Sequence, residues 1–271
     1  MRARDWAFWL GSLAVVVVSN FLGGDVDPLT LIAALTGVTA LMLAAKGQVF
    51  AQYLMIVFCL LYGAISCRFR YWGEMLTYLG MSLPMAVWSA VTWRRNTAHE
   101  AGSAVAIRRL TGHDLALLVL ATVAVTALFG WLLAALDTPN LGFSILSVAT
   151  SFLAAALTML RSSYYGLGYA ANDIVLVVLW VLASCEDPAY IPVAVNFGIF
   201  LFHDFYGFLS WKSASAIWPK LHKNRRAAEH AARHFPFYQP FAAAKPASRS
   251  AMRSSACSVP MDRRMVFGRM P

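Results

Sequence analysis

Two aspartates lie inside apolar stretches of this chain: Asp173, beside Asn172, and Asp204, preceded by His203. An ionisable side chain in a membrane span costs at least about 2.5–3.5 kcal/mol, so it normally faces a cavity or a partner. A carboxylate in that position can pair with a cationic ligand or hydrogen-bond ribose hydroxyls. It can equally tie helices together through a Tyr, Ser or Thr. Asp173 is nine residues into its stretch, roughly 14 Å along a helix rising about 1.5 Å per residue, which puts it near mid-bilayer. Asn196 and His203 are seven apart and share a helical face. The Asn196 amide offers two donors and an acceptor, a set that suits a carboxamide or a sugar. His203 followed by Asp204 is not in itself a catalytic dyad, because consecutive helical side chains point apart.

The first half of the chain offers Gln52, Glu74, Tyr78 and Trp88. Glu74 and Tyr78 are four apart, and Trp88, fourteen beyond Glu74, falls on the same stripe of a regular helix. Tyr78 and Trp88 can stack on a flat heteroaromatic ring, and Gln52 can fix an amide. Trp72 and Trp93 sit at the ends of apolar stretches, where aromatic belts are expected. Glu74 is close enough to Arg68 or Arg70 to pair with either. The chain has no Walker-type glycine loop, no H-E-x-x-H and no G-x-S-x-G. Its four cysteines, Cys59, Cys67, Cys185 and Cys257, are too scattered for a zinc site or a disulfide framework. No cofactor and no metal are therefore expected.

These residues need helices to hold them. Of 271 residues, 59% are hydrophobic and 13% charged, against roughly 25% charged in a soluble domain. That balance excludes an ordinary soluble enzyme. Eight stretches approach the ~20 apolar residues of a spanning helix: 6–22, 28–45, 48–67, 71–93, 114–136, 143–160, 164–184 and 189–211. The expected fold is an all-α integral membrane protein with eight transmembrane helices. The first, despite Arg2 and Arg4 before it, reads as a retained helix and not a signal peptide, since its apolar core is long and no A-x-A-like site follows.

The net charge of +9 then acquires a location. With the N-terminus in the cytoplasm, Arg2, Arg4, Lys46, Arg94, Arg95, Arg108, Arg109 and Arg161 fall inside, as do the twelve basic residues from Lys212 onward; only Arg68 and Arg70 fall outside. The positive-inside rule thus predicts both termini in the cytoplasm of a bacterial-type cytoplasmic membrane. The tail 213–271 is basic. Residues 219–234 read either as a basic helix on the anionic inner leaflet or as a solvated segment, and nucleic-acid binding is not needed to explain them.

An internal repeat organises the spans. Ser66-Cys67 precedes Trp93 as Ser184-Cys185 precedes Trp211, at a constant offset of 118 that also aligns Trp72 with Tyr190, Tyr78 with Asn196 and Trp88 with Tyr206. Spans two to four and six to eight form two triples separated by a single helix, so both start on the same side. The axis relating them runs along the membrane normal, one of the transporter architectures with a midplane site. The expected organisation is an extra N-terminal helix (1–27), a first three-helix repeat (28–93), a cytoplasmic loop with linker helix (94–142), a second repeat (143–212) and the tail (213–271).

Residues 28–213 resemble the PnuC-type vitamin transporters, usually described for nicotinamide riboside. The resemblance is carried by Lys46-Gly47-Gln48 with Gln52, by Leu61-Tyr62-Gly63, and by Arg70-Tyr71-Trp72-Gly73-Glu74 with Tyr78-Leu79-Gly80 and Trp93. In the second half it is carried by Tyr164-Tyr165-Gly166, Asn172-Asp173, and Asp204-Phe205-Tyr206-Gly207-Phe208 with Trp211. It implies a SWEET-like 3+1+3 parallel-repeat core, often trimeric, that moves its substrate by facilitated diffusion, with a cytosolic kinase trapping the product. The family often places Asn-x-x-Gly before the closing Trp of each half. Here Asp204 stands in the Asn place of the second half, and Ala86 and Ser89 replace the pair in the first. Tyr165 and Tyr169 stand where the family commonly has Trp.

The sequence thus points to a uniporter for a vitamin nucleoside, with Gln52, Tyr78, Trp88, Asn172, Asp173, Asn196 and Asp204 as candidate substrate-binding residues. Thiamine, riboflavin and a deoxynucleoside are alternative substrates. An intramembrane enzyme using His203 and Asp204, and a passive channel or partner-binding subunit, are alternatives of a different class.

Overall fold

The computed structural model of the chain describes residues 3–22, 27–68, 72–97, 104–138 and 140–221. The tail beyond residue 221, Arg70 and Tyr71 lie outside the described residues. The described chain forms eight long helices: α1 (Ala3–Leu22), α2 (Pro28–Ala45), α3 (Phe50–Arg68), α4 (Trp72–Arg95), α5 (Gly112–Ala135), α6 (Leu141–Met159), α7 (Tyr165–Glu186) and α8 (Ile191–Leu221). Seven of them, α2 to α8, are long and apolar enough to cross a membrane. The exception is α1, which carries Arg4, Asp5, Ser12 and Asn20 among its apolar residues.

Helix ends are set by local chemistry. Asp27 caps α2 by accepting from the Thr30 amide and hydroxyl, with Pro28 at the first helical position. Burial pushes the Asp27 carboxyl up, but the Thr30 hydrogen bonds and the nearby Arg68 charge outweigh it and hold it below its ordinary range. Thr111 and Asp114 form a capping box at the start of α5. At the opposite end of α2, the amides of Gly47 and Gln48 donate to the Ala44 and Leu43 carbonyls; those of Arg161 and Ser162 donate likewise to Thr158 and Leu157 at the end of α6. Gly47 (φ 67°) and Arg161 (φ 58°) are both left-handed, so the two helices finish in the same C-terminal motif.

The ring of neighbours runs α2–α3–α4–α6–α7–α8 and back to α2. Exchanging the triple α2–α4 for α6–α8 leaves that ring unchanged. Two tryptophans repeat the relation in detail. The Trp93 indole donates to the Thr158 carbonyl at 2.8 Å, and the Trp211 indole donates to the Ala44 carbonyl at 3.0 Å. Both are completely buried, and their rings meet at 5.4 Å. The belt position expected for Trp93 is therefore corrected: its N–H is needed inside, while Trp72 is exposed.

The segment 104–111 crosses this end of the bundle. Its Val105 amide donates to Gly47 and its Arg108 amide to Arg161, so one strap reaches both left-handed turns. Helix α1 packs on α2 and α8 through a buried polar cluster. Lys46 Nζ lies 2.9 Å from Asp5 Oδ2 and donates to the Tyr206 hydroxyl at 2.6 Å, while that hydroxyl donates to Asp5 Oδ1 at 2.9 Å. Lys46, expected as a loop charge, is therefore committed inside the fold. Replacing Asp5 by Ala leaves a buried ammonium short of its counter-charge, an expected loss of about 3–5 kcal/mol. Thermal unfolding in detergent measures it, and pairing Asp5→Leu with Lys46→Met recovers most of the loss.

Candidate functional site

The midplane of the bundle holds a cavity of about 70 Å³ enclosed by α2, α3, α4, α6, α7 and α8. Gln52, Tyr78, Asn172, Asp173 and Asp204 all line it. Five of the seven candidates thus converge from four helices in both halves of the chain.

Asp173 and Asp204 are the centre of the arrangement. Both are buried, and they line the same cavity from adjacent helices, α7 and α8. Asp173 Oδ2 has no partner in the described protein. The approach depends on Gly166, two turns before Asp173 on the same face. A Cβ there would lie 2.5 Å from the Asp204 carbonyl oxygen and 2.6 Å from the Phe208 amide nitrogen, both backbone atoms.

Asn172 is oriented by α6. Its Oδ1 accepts from the Ser151 hydroxyl at 2.8 Å, Thr150 at 2.9 Å and Ser147 at 3.4 Å. That network occupies the amide oxygen and leaves the NH2 as the donor for a ligand. Tyr78, Tyr169 and Phe200 supply aromatic faces, and Ser82, Ser89 and Ser151 supply hydroxyls. No Lys, Arg or His is among the described residues lining this cavity.

Two candidates are placed elsewhere. Trp88 is 65% exposed and faces away from the cavity, so its assignment as a ligand contact is corrected. The reason is a π-helical turn at Thr77–Ser82, where the Leu83 amide reaches back five residues to the Tyr78 carbonyl. One extra residue in that turn shifts the helical phase, so Ser89, and not Trp88, returns to the Glu74 and Tyr78 stripe. Asn196 lies above the cavity, in a vestibule of about 790 Å³ at the end of the bundle bounded by Asp27, Arg68 and Tyr190. Phe58, Phe197 and Phe200 line both spaces and separate them. Arg68 pairs with Asp27 at 3.1 Å, and no ion pair joins it to Glu74 among the described residues.

His203 turns away from Asp204, as consecutive helical positions must. Its Nε2 meets the Ser12 hydroxyl at 2.9 Å and its ring packs on Phe8 at 4.4 Å. It is a packing histidine against α1, and the geometry holds no His–Asp dyad. Tyr169 and Ser89, noted in the sequence only as departures from the family pattern, both line the cavity, as does Ser82, which the sequence did not single out. The sequence reading also missed the hydroxyl run Ser147, Thr150 and Ser151, legible as polar groups on one face of an apolar helix.

The family model described as nicotinamide mononucleotide transporter matches residues 27–213, the span that contains every cavity-lining residue. The chain belongs to the nicotinamide mononucleotide transporter family. It is a membrane transporter and not an enzyme. Among its relatives, the nicotinamide riboside transporter PnuC of Haemophilus influenzae is 23% identical over 204 residues, covering 75% of this chain and 87% of that one. The protein of the same description from Neisseria mucosa is 25% identical over 213 residues, covering 75% and 77%. A solved structure described as the vitamin B3 transporter PnuC superposes with a TM-score of 0.68 at 22% identity, covering 79% of this chain and 92% of that one. That superposition shows a shared fold between the two chains.

The α7–α8 approach is directly testable. Gly166→Ala places a methyl against backbone that cannot yield without moving α8, so the melting temperature should fall by several degrees. Gly142→Ala, where a Cβ meets nothing within 4 Å, should leave it unchanged.

Proposed function

We propose that this transporter carries nicotinamide riboside, and that it does so by facilitated diffusion through the midplane cavity. The observation that carries the reading is the buried pair Asp173 and Asp204 in a cavity with no Lys, Arg or His among its described lining residues. A pyridinium riboside has one fixed positive charge, a flat ring, a carboxamide and ribose hydroxyls. The acidic pair answers the positive ring, Tyr78 and Tyr169 offer stacking faces, and Gln52 with the Asn172 NH2 serves the carboxamide or ribose. A phosphorylated nucleotide would bring its anion against two carboxyl groups with no Lys or Arg to receive it, at a desolvation cost that nothing local offsets. The descriptions of the two relatives support the same substrate. Thiamine, also a cation, is the second reading that the acidic cavity favours; neutral riboflavin and deoxynucleosides leave the carboxyl pair without a counterpart.

At about 70 Å³ the cavity is far below the ~300–1,000 Å³ of a small-molecule site, which describes a closed state of an alternating-access cycle. The matched Trp93 and Trp211 bonds support two triples, α2–α4 and α6–α8, rocking about a shared axis, with α5 as linker and α1 as an eighth span. The positive charge bias supports a cytoplasmic membrane with both termini inside. The family resemblance supports a homotrimer, with a cytosolic kinase retaining the product.

Reconstituted liposomes test the substrate. Labelled nicotinamide riboside should enter saturably, compete with its unlabelled form, and be indifferent to excess nicotinamide mononucleotide. Asp173→Asn should lower binding at least tenfold; undiminished binding would remove the carboxylate from the mechanism. Uptake that collapses with an uncoupler, in cells whose substrate kinase and ATP are maintained, would overturn facilitated diffusion.

A further inference from the structure

The vestibule above the aromatic floor has features that no transport step described so far uses. Its volume, about 790 Å³, falls in the range of a small-molecule site and accommodates a nucleoside. Two buried polar atoms on its wall have no hydrogen-bond partner among the described residues: Ser66 Oγ and Asn196 Oδ1, in residues 2% and 5% exposed. An unpaired polar atom buried in a fold is costly, so two in one recess point to a ligand that satisfies them. One hydroxyl donor and one amide acceptor are the complement of a primary carboxamide, which accepts through its oxygen and donates through its nitrogen.

The charge and the ring surfaces agree with that assignment. Arg68 is matched to Asp27 at 3.1 Å, while Glu74 also lines the recess and has no ion pair among the described residues. Tyr62 flanks one side, and Trp180 and Tyr190, with ring centroids 5.5 Å apart, flank another. Below them Phe58 and Phe200 meet at 6.0 Å and Phe197 and Phe200 at 5.5 Å, closing the way to Asp173. The closure needs Gly37, because a Cβ there would lie 2.8 Å from the Phe200 ring and 3.1 Å from the Phe58 ring.

We infer that the vestibule is a second ligand site, which holds a pyridinium carboxamide on Glu74, Asn196 and Ser66 above the closed Phe58–Phe197–Phe200 floor before the midplane cavity opens. Its ligand class rests on the riboside reading above, but its existence does not require that reading to hold. The site concentrates a cation with a carboxamide arm where the path narrows. It works as a first selection step, and the Asp173–Asp204 pair works as the second.

The test uses purified full-length protein and two probes that lack ribose: the 1-methylnicotinamide cation and neutral nicotinamide. Calorimetry should show the cation binding at least tenfold tighter than the neutral amide. Glu74→Gln should remove that preference, and Ser66→Ala with Asn196→Leu should weaken both probes, at wild-type melting temperatures. Gly37→Ala, which disturbs the floor and not the polar wall, should leave cation binding within twofold. Cation binding that is indifferent to Glu74→Gln and to the Ser66/Asn196 pair, or lost only in Asp173→Asn, would overturn the vestibule site. Riboside uptake by the wild type is read separately in liposomes. Its absence would sink the substrate assignment while the probe titrations still decide the site.

Discussion

Two carboxyl groups meeting in a water-poor helical bundle are the constraint around which the rest is arranged. A buried charge is tolerated only when its surroundings are polar and pre-oriented, because the desolvation cost is several kcal/mol per ion. Here the surroundings are assembled from both halves of the chain. Gly166 lets α7 touch the α8 backbone, so that Asp173 and Asp204 face each other. Three hydroxyls of α6 hold Asn172 beside them.

A second set of contacts holds the frame that the pair requires. The Trp93 and Trp211 indoles bond to the C-terminal turns of α6 and α2, and the segment 104–111 ties the two left-handed turns that follow them. These bonds lie at one end of the bundle, at a distance from the vestibule. One end is therefore cross-braced by hydrogen bonds, while the floor between the two spaces is closed by ring contacts among Phe58, Phe197 and Phe200. Ring contacts slide more readily than directional hydrogen bonds, so the aromatic floor is the natural place for the path to open. Helix α1 adds its own bond set to α8 through Tyr206 and His203, which flank Asp204 in sequence.

Most of the helical architecture was legible in the residues. Apolar runs and the charged separators between them marked eight stretches and the long polar connection, and seven of those stretches are long and apolar enough to span, because a chain in lipid has to satisfy its backbone within each helix. Asp173, Asp204, Asn172 and Gln52 stood out for the same reason: polar groups in apolar runs need a cavity or a partner. Trp88 was misplaced because periodicity arguments assume 3.6 residues per turn, and the π turn at Thr77–Ser82 breaks that phase between Tyr78 and Trp88. Trp93 was read as a belt residue because its position at a span end does not tell which way the ring turns.

The sequence by itself determined that this is a helical membrane protein, where its helices run and which carboxyl groups are deep, since those follow from solvation and composition. Only the tertiary structure decided that the two carboxyl groups meet, that Lys46 belongs to Asp5 and not to a loop, and that Asn196 lies on the vestibule side of an aromatic floor. Such pairings depend on helix rotation and crossing. Rotation is set by close contacts such as Gly166 on α8, between residues far apart in the chain, and no local periodicity encodes them.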